Sequence, residues 1–133
     1  MNSIRKKLFI TLFSLSIILL YGSSLIPTPY SEAVQTESDL NNKVDNLRST
    51  QSTLQFIFGN NAFICILMAL PFIGSGIGFF ALYNTGRVVG SIAIARNINP
   101  LITTSSMFAT PVIWLEFIAY AIAMTTSIFL SYF

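Results

Sequence analysis

The 38 residues from Ser49 to Gly86 carry no charged side chain. As one α-helix they would measure about 57 Å at 1.5 Å per residue, nearly twice the roughly 30 Å hydrocarbon thickness of a bilayer. One span cannot hold them, and a water-facing surface cannot be built from them. Pro71 and the series Gly74, Gly76 and Gly78 supply a break. The sequence therefore predicts one helix near Leu54 to Leu70 and another near Ile77 to Arg96, joined by the link from Pro71 to Gly76. So short a link forces an antiparallel hairpin.

The flanking segments extend this membrane reading. Only 9% of the 133 residues are charged and the mean hydropathy is +0.70, against roughly 25% charged in a soluble domain. Arg5, Lys6 and Lys7 precede an apolar stretch from Leu8 to Ile26, about 28 Å as a helix. A basic flank before an apolar run also describes a signal peptide, with Gly22-Ser23-Ser24 as small residues for cleavage. The length of the run favours a retained anchor over residues 1–26. Residues 27–53 are polar and hold Glu32, Glu37, Asp39, Lys43, Asp45 and Arg48. The positive-inside tendency places this acidic segment outside and the N-terminus in the cytoplasm. Thr36-x-x-Asp39 resembles a capping box, and Leu40, Val44, Leu47 and Leu54 form one apolar stripe on an external amphipathic helix. Residues 54–133 form a three-helix membrane domain: after a loop or interfacial turn from Asn97 to Ser106, a last helix runs from about Met107 to Leu130, with Pro111 in its first turns. The expected fold is all-α, an integral membrane helical bundle of about four transmembrane helices with both termini cytoplasmic.

Arg87 and Glu116 are the only charges expected well inside the bilayer. Each lies about nine residues from the external end of its helix, so both sit at nearly one depth, about 13 Å below the outer surface. Mutual pairing is the natural expectation for charges so placed; an ion or proton route, or a partner in another subunit, are the other uses. Gly86-x-x-x-Gly90 makes a smooth face on the third span, and Ala119 and Ala123 continue the Glu116 face of the fourth. The two faces are expected to pack together. Asn60, Asn61, Asn84 and Thr85 should face other helices, either for interhelical hydrogen bonds or for a solute or cation. Cys65 and Met68 are one turn apart and offer soft sulfur to Cu(I), although core packing explains them more simply.

Other chemistries lack their residues. The chain has no histidine and one cysteine, which removes the commonest metal ligand and general base, and any internal disulfide or thiolate-held cluster. It has no Walker loop, dinucleotide-binding turn or GxSxG elbow. Seven dispersed cations make no nucleic-acid patch. No cofactor, metal site or small-molecule substrate is indicated.

Phe58-Gly59-Asn60-Asn61, Tyr83-Asn84-Thr85-Gly86 and Pro111 with Glu116 five residues later occur in that order. The set resembles the stage II sporulation protein M family, particularly its archaeal members, over Leu54 to Ser127. That family carries an Asn-Asn helix, a later Asn-x-Gly or Asn-Gly helix, and a Pro-His-Gly-x-x-Glu helix start. Val112 and Ile113 stand where the family usually has His and Gly, so a role resting on that His does not carry over, whereas Glu116 does. The resemblance implies a multi-pass membrane protein; bacterial members work with other proteins in membrane and cell-wall remodelling during engulfment. The chain is also similar to small membrane proteins of this family in ammonia-oxidising archaea. That implies a non-catalytic accessory or scaffold subunit of a membrane complex, with the copper-dependent ammonia monooxygenase as candidate. Its partners would be the lipid bilayer and other membrane subunits. The alternative is a small transporter or channel running past Asn60, Asn61, Asn84, Arg87 and Glu116.

Overall fold

A computed structural model of the chain describes residues 3–47 and 50–132. Met1, Asn2 and Phe133 lie outside the described residues, as do Arg48, the last charge of the polar segment, and Ser49, which opens the charge-free run. The described residues form helices only: α1 (Ser3–Ser24), α2 (Tyr30–Asn46), α3 (Thr50–Met68), α4 (Gly74–Ala95), α5 (Pro100–Met107) and α6 (Pro111–Tyr132). Three of them, α1, α4 and α6, are long and apolar enough to cross a membrane, whereas the apolar part of α3 is the shorter Leu54–Met68.

Local chemistry explains the helix ends. The turn between α3 and α4 is tighter than the proline and glycine pattern suggests, because α4 begins at Gly74 rather than Ile77. Phe72 there adopts a left-handed φ of 67°, and its amide donates to Ser131 Oγ at 2.6 Å. Asn97, with φ 55°, ends α4 in a Schellman motif. Its amide donates to the Ile94 carbonyl at 3.1 Å, and that of Ile98 to the Ala93 carbonyl at 2.8 Å. The segment expected as a loop contains α5, capped by Asn99, whose Oδ1 accepts from the Leu101 amide at 2.9 Å, with Pro100 as its first residue. Accordingly α6 starts at Pro111, not Met107. Trp114 Nε1 donates to the Phe108 carbonyl at 2.9 Å and closes the α5–α6 joint.

The helix expected outside the membrane differs from its expected form. α2 starts at Tyr30 without a side-chain cap, and Thr36 sits inside it, donating to the Glu32 carbonyl at 2.9 Å. Thr36 therefore opens no helix. The apolar stripe is divided as well, since Leu54 belongs to α3, and Leu40 and Val44 are exposed. What fastens α2 is Ala33, fully buried, and an ion pair from Glu37 to Arg96 at the end of α4.

α4 is the hub of the bundle, packed against each of the other helices. Leu12 and Leu20 of α1, Met68 of α3, Leu82 of α4, and Phe117, Ala123 and Met124 of α6 form the buried core. α1 is thus an integral wall of the bundle. Close approach between helices is made at glycines. A Cβ on Gly86 would meet Ser23 Oγ and the Leu20 carbonyl, and one on Gly90 would meet the Ser24 carbonyl oxygen. Gly78 plays the same part toward α6, against the Met124 side chain, whereas a Cβ on Gly74 would meet the Met68 carbonyl at the end of α3 first and Ser127 Oγ of α6 next. The expected seam between the Gly86 and Ala119 faces is therefore corrected: Gly86 and Gly90 hold α1, and Gly78 meets α6. Ala123 is buried, whereas Ala119 is exposed. The small-residue spacing marks a face that permits close approach, but both faces of α4 carry it.

Phe72 meeting Ser131, and Arg5 lying over the Phe129 ring at 5.2 Å, place the start of α1, the α3–α4 turn and the end of α6 at one end of the bundle.

Candidate functional site

Depth within the bundle follows from counting, and the count agrees with the sequence. Gly78 faces Met124; nine residues onward from the one and nine back from the other bring Arg87 level with Leu115, next to Glu116. The expected ion pair between Arg87 and Glu116 is nevertheless absent, because the two side chains leave their helices in different directions. Arg87 Nη1 donates to the Ile26 carbonyl at 2.9 Å and the Pro27 carbonyl at 3.4 Å. It satisfies carbonyls just beyond the end of α1, where a helix leaves acceptors unpaired and a cation is favoured. Arg87 is thus a latch on the α1–α2 link.

Glu116 faces α3 instead. Its Oε1 accepts from Asn61 Nδ2 at 2.7 Å, and Tyr120 donates its hydroxyl to Asn61 Oδ1 at 3.4 Å. One amide therefore joins a carboxylate and a phenol across two helices. Asn61 makes the interhelical contact expected of it. Asn84 and Thr85 do not: Asn84 Nδ2 donates to the Phe80 carbonyl and Thr85 Oγ1 to the Ala81 carbonyl, each four residues back in their own helix at 2.9 Å. Asn60 is exposed. The Asn, Arg and Glu residues of the transport reading thus do not line one route within this chain.

The Asn61–Glu116 pair lies in a groove between α3 and α6 with a volume of about 460 Å³. α3 contributes Leu54, Ile57, Phe58, Asn61, Ala62 and Cys65, a one-sided set at helical spacing. α6 contributes Val112, Leu115, Glu116, Ala119 and Tyr120. Both Cys65 and Ala119 find their place here: the thiol lines the groove, while Met68 is fully buried against α4, so the two sulfurs serve different surfaces. Phe58 at the groove's edge is 76% exposed, and beyond the groove α3 leaves Phe63 61% and Ile66 66% exposed. The length of the charge-free run predicts a span over α3; nothing in its spacing indicates that most of its surface stays unpacked.

These contacts separate two otherwise similar asparagines. Asn61→Ala is expected to lower thermal stability in detergent by about 1 kcal/mol, the scale of an interhelical hydrogen bond in a membrane protein. Asn84→Ala, which removes a bond within one helix, should stay within about 0.5 kcal/mol of the parent.

Comparison with protein-family models, with curated proteins and with solved structures finds no match to this chain.

Proposed function

We propose that this protein is a non-catalytic accessory or scaffold subunit of an integral membrane complex, with an archaeal ammonia monooxygenase as the candidate complex. In this reading α3 is the fourth span, the three-basic flank keeps both termini cytoplasmic, and α2 lies outside. The observation that carries the proposal is α3 itself, whose apolar side chains are exposed along most of the helix while the rest of the bundle has a packed core. An apolar surface of this extent, bordered by the Glu116 carboxylate of α6, suits contact with protein better than contact with lipid alone. The resemblance to the archaeal sporulation protein M-like proteins supplies the candidate complex, and a chain without histidine suits a supporting role beside a copper enzyme.

Mild-detergent extraction from the native membrane, followed by mass spectrometry, tests the proposal. The chain is expected to travel with other integral membrane subunits in a fixed ratio. Isolation as a lone homo-oligomer would overturn the reading. The transporter alternative makes the opposite demand, since the chain alone in liposomes would then have to conduct a solute or ion.

A further inference from the structure

The geometry points to the α3–α6 groove as the seat of a transmembrane helix from another subunit, bearing a lysine or arginine that pairs with Glu116. The inference rests on the accessory-subunit reading and specifies the chemistry of the partner. Its first support is shape. The groove is lined by residues recurring every three or four positions on both of its walls, from Leu54 to Cys65 and from Val112 to Tyr120, so it runs along the helices rather than into the bundle. Ala62 and Ala119 keep it open, and a third helix nests against two in such a cleft.

Its second support is charge. Among the described residues Glu116 has one hydrogen bond, from Asn61, although a carboxylate accepts about four. Among the described residues no cation pairs with it, because Arg87 is turned toward the Ile26 and Pro27 carbonyls and Arg96 is held by Glu37. A carboxylate at such depth is costly until a cation or strong donor meets it. Apart from the Cys65 thiol and the Tyr120 hydroxyl, which donates to Asn61, the rest of the groove wall is apolar, so a cation for Glu116 must come from the occupant. A lipid chain fills the apolar part but brings no cation to this depth.

A photocrosslinking residue at Leu115, introduced into the chain in its native membrane as Leu115→p-benzoylphenylalanine, reads the occupant directly. The adduct is expected on an apolar segment of another subunit, with a Lys or Arg within about one helical turn of the crosslinked position. Adding Glu116→Gln, which preserves an acceptor for Asn61, should lower the yield about tenfold while leaving the thermal unfolding temperature of the chain unchanged. Adducts on lipid only, on a second copy of this chain, or on a helix without a basic residue overturn the inference, as does a yield indifferent to Glu116→Gln. If other subunits co-extract with the chain but Leu115 labels only lipid, this inference fails and the accessory-subunit reading stands; if nothing co-extracts, that reading fails first.

Discussion

Gly90→Val is expected to lose the folded bundle. A Cβ at this position runs into the Ser24 carbonyl oxygen and lies 3.0 Å from its carbonyl carbon. Backbone atoms have no rotamer by which to retreat, so α1 must move away from α4 as a unit. The displacement carries Ser23 from Gly86 and Leu20 from the core, and it withdraws the Ile26 and Pro27 carbonyls from Arg87. Overpacking of this kind costs at least about 3 kcal/mol, at the upper end of what an inserted side chain causes in a well-packed interior. Gly90→Ala already meets the same oxygen and should be impaired in the same direction. Gly59→Ala makes the control, since nothing lies within 4 Å of a Cβ there. It should stabilise the isolated chain by about 0.5–1 kcal/mol through helix propensity. Thermal unfolding of the three variants in one detergent separates them.

Reversing both intramembrane charges, Arg87→Glu with Glu116→Arg, should rescue nothing. Were the two side chains an ion pair, the double swap would restore what each single change removes. Instead, Arg87→Glu aims a carboxylate at the Ile26 and Pro27 carbonyls, replacing a charge-assisted hydrogen bond by repulsion between acceptors. The loss should exceed the roughly 1.5–3 kcal/mol attached to a hydrogen bond with a charged group. Glu116→Arg places a guanidinium beside Asn61 and Tyr120, across an otherwise apolar groove. The two losses should add, because the sites share no partner. A double variant as stable as the parent would show that Arg87 and Glu116 do meet.

The contrast between depth and direction explains what a sequence of this kind can express. Depth is a count of residues at a fixed rise, so the common level of Arg87 and Glu116 is legible in the chain itself. Direction depends on which helix lies beside which, and one residue turns a side chain by about 100°. Gly86 and Gly90 are therefore recognisable as a close-packing face, yet nothing in their spacing names α1 as the partner. Asn61 and Asn84 have the same side chain in comparable apolar settings. Only the tertiary arrangement makes the first an interhelical donor and leaves the second bonded to the Phe80 carbonyl. Thr36 is ambiguous for a related reason. A threonine with an acid three residues on fits a helix start, and it also fits a helix interior where its hydroxyl donates four residues back. The helical hairpin, by contrast, needs no tertiary information, since a charge-free run too long for one span contains its own break.

In the proposed assembly, the exposed apolar face of α3 is the surface by which this chain joins its partners. A lipid-soluble carbene precursor, activated in the bilayer and followed by peptide mass spectrometry, reads that surface in two settings. In liposomes containing the purified chain alone, Phe58, Phe63 and Ile66 should be labelled heavily, in keeping with their exposure. In the native membrane the same positions should be protected about tenfold or more, while the lipid-facing side of α1 near Ile10 and Ile18 is labelled equally in both. Equal labelling of α3 in the two settings would mean that lipid, and no partner, covers it, and would contradict the assignment of this face to an interface.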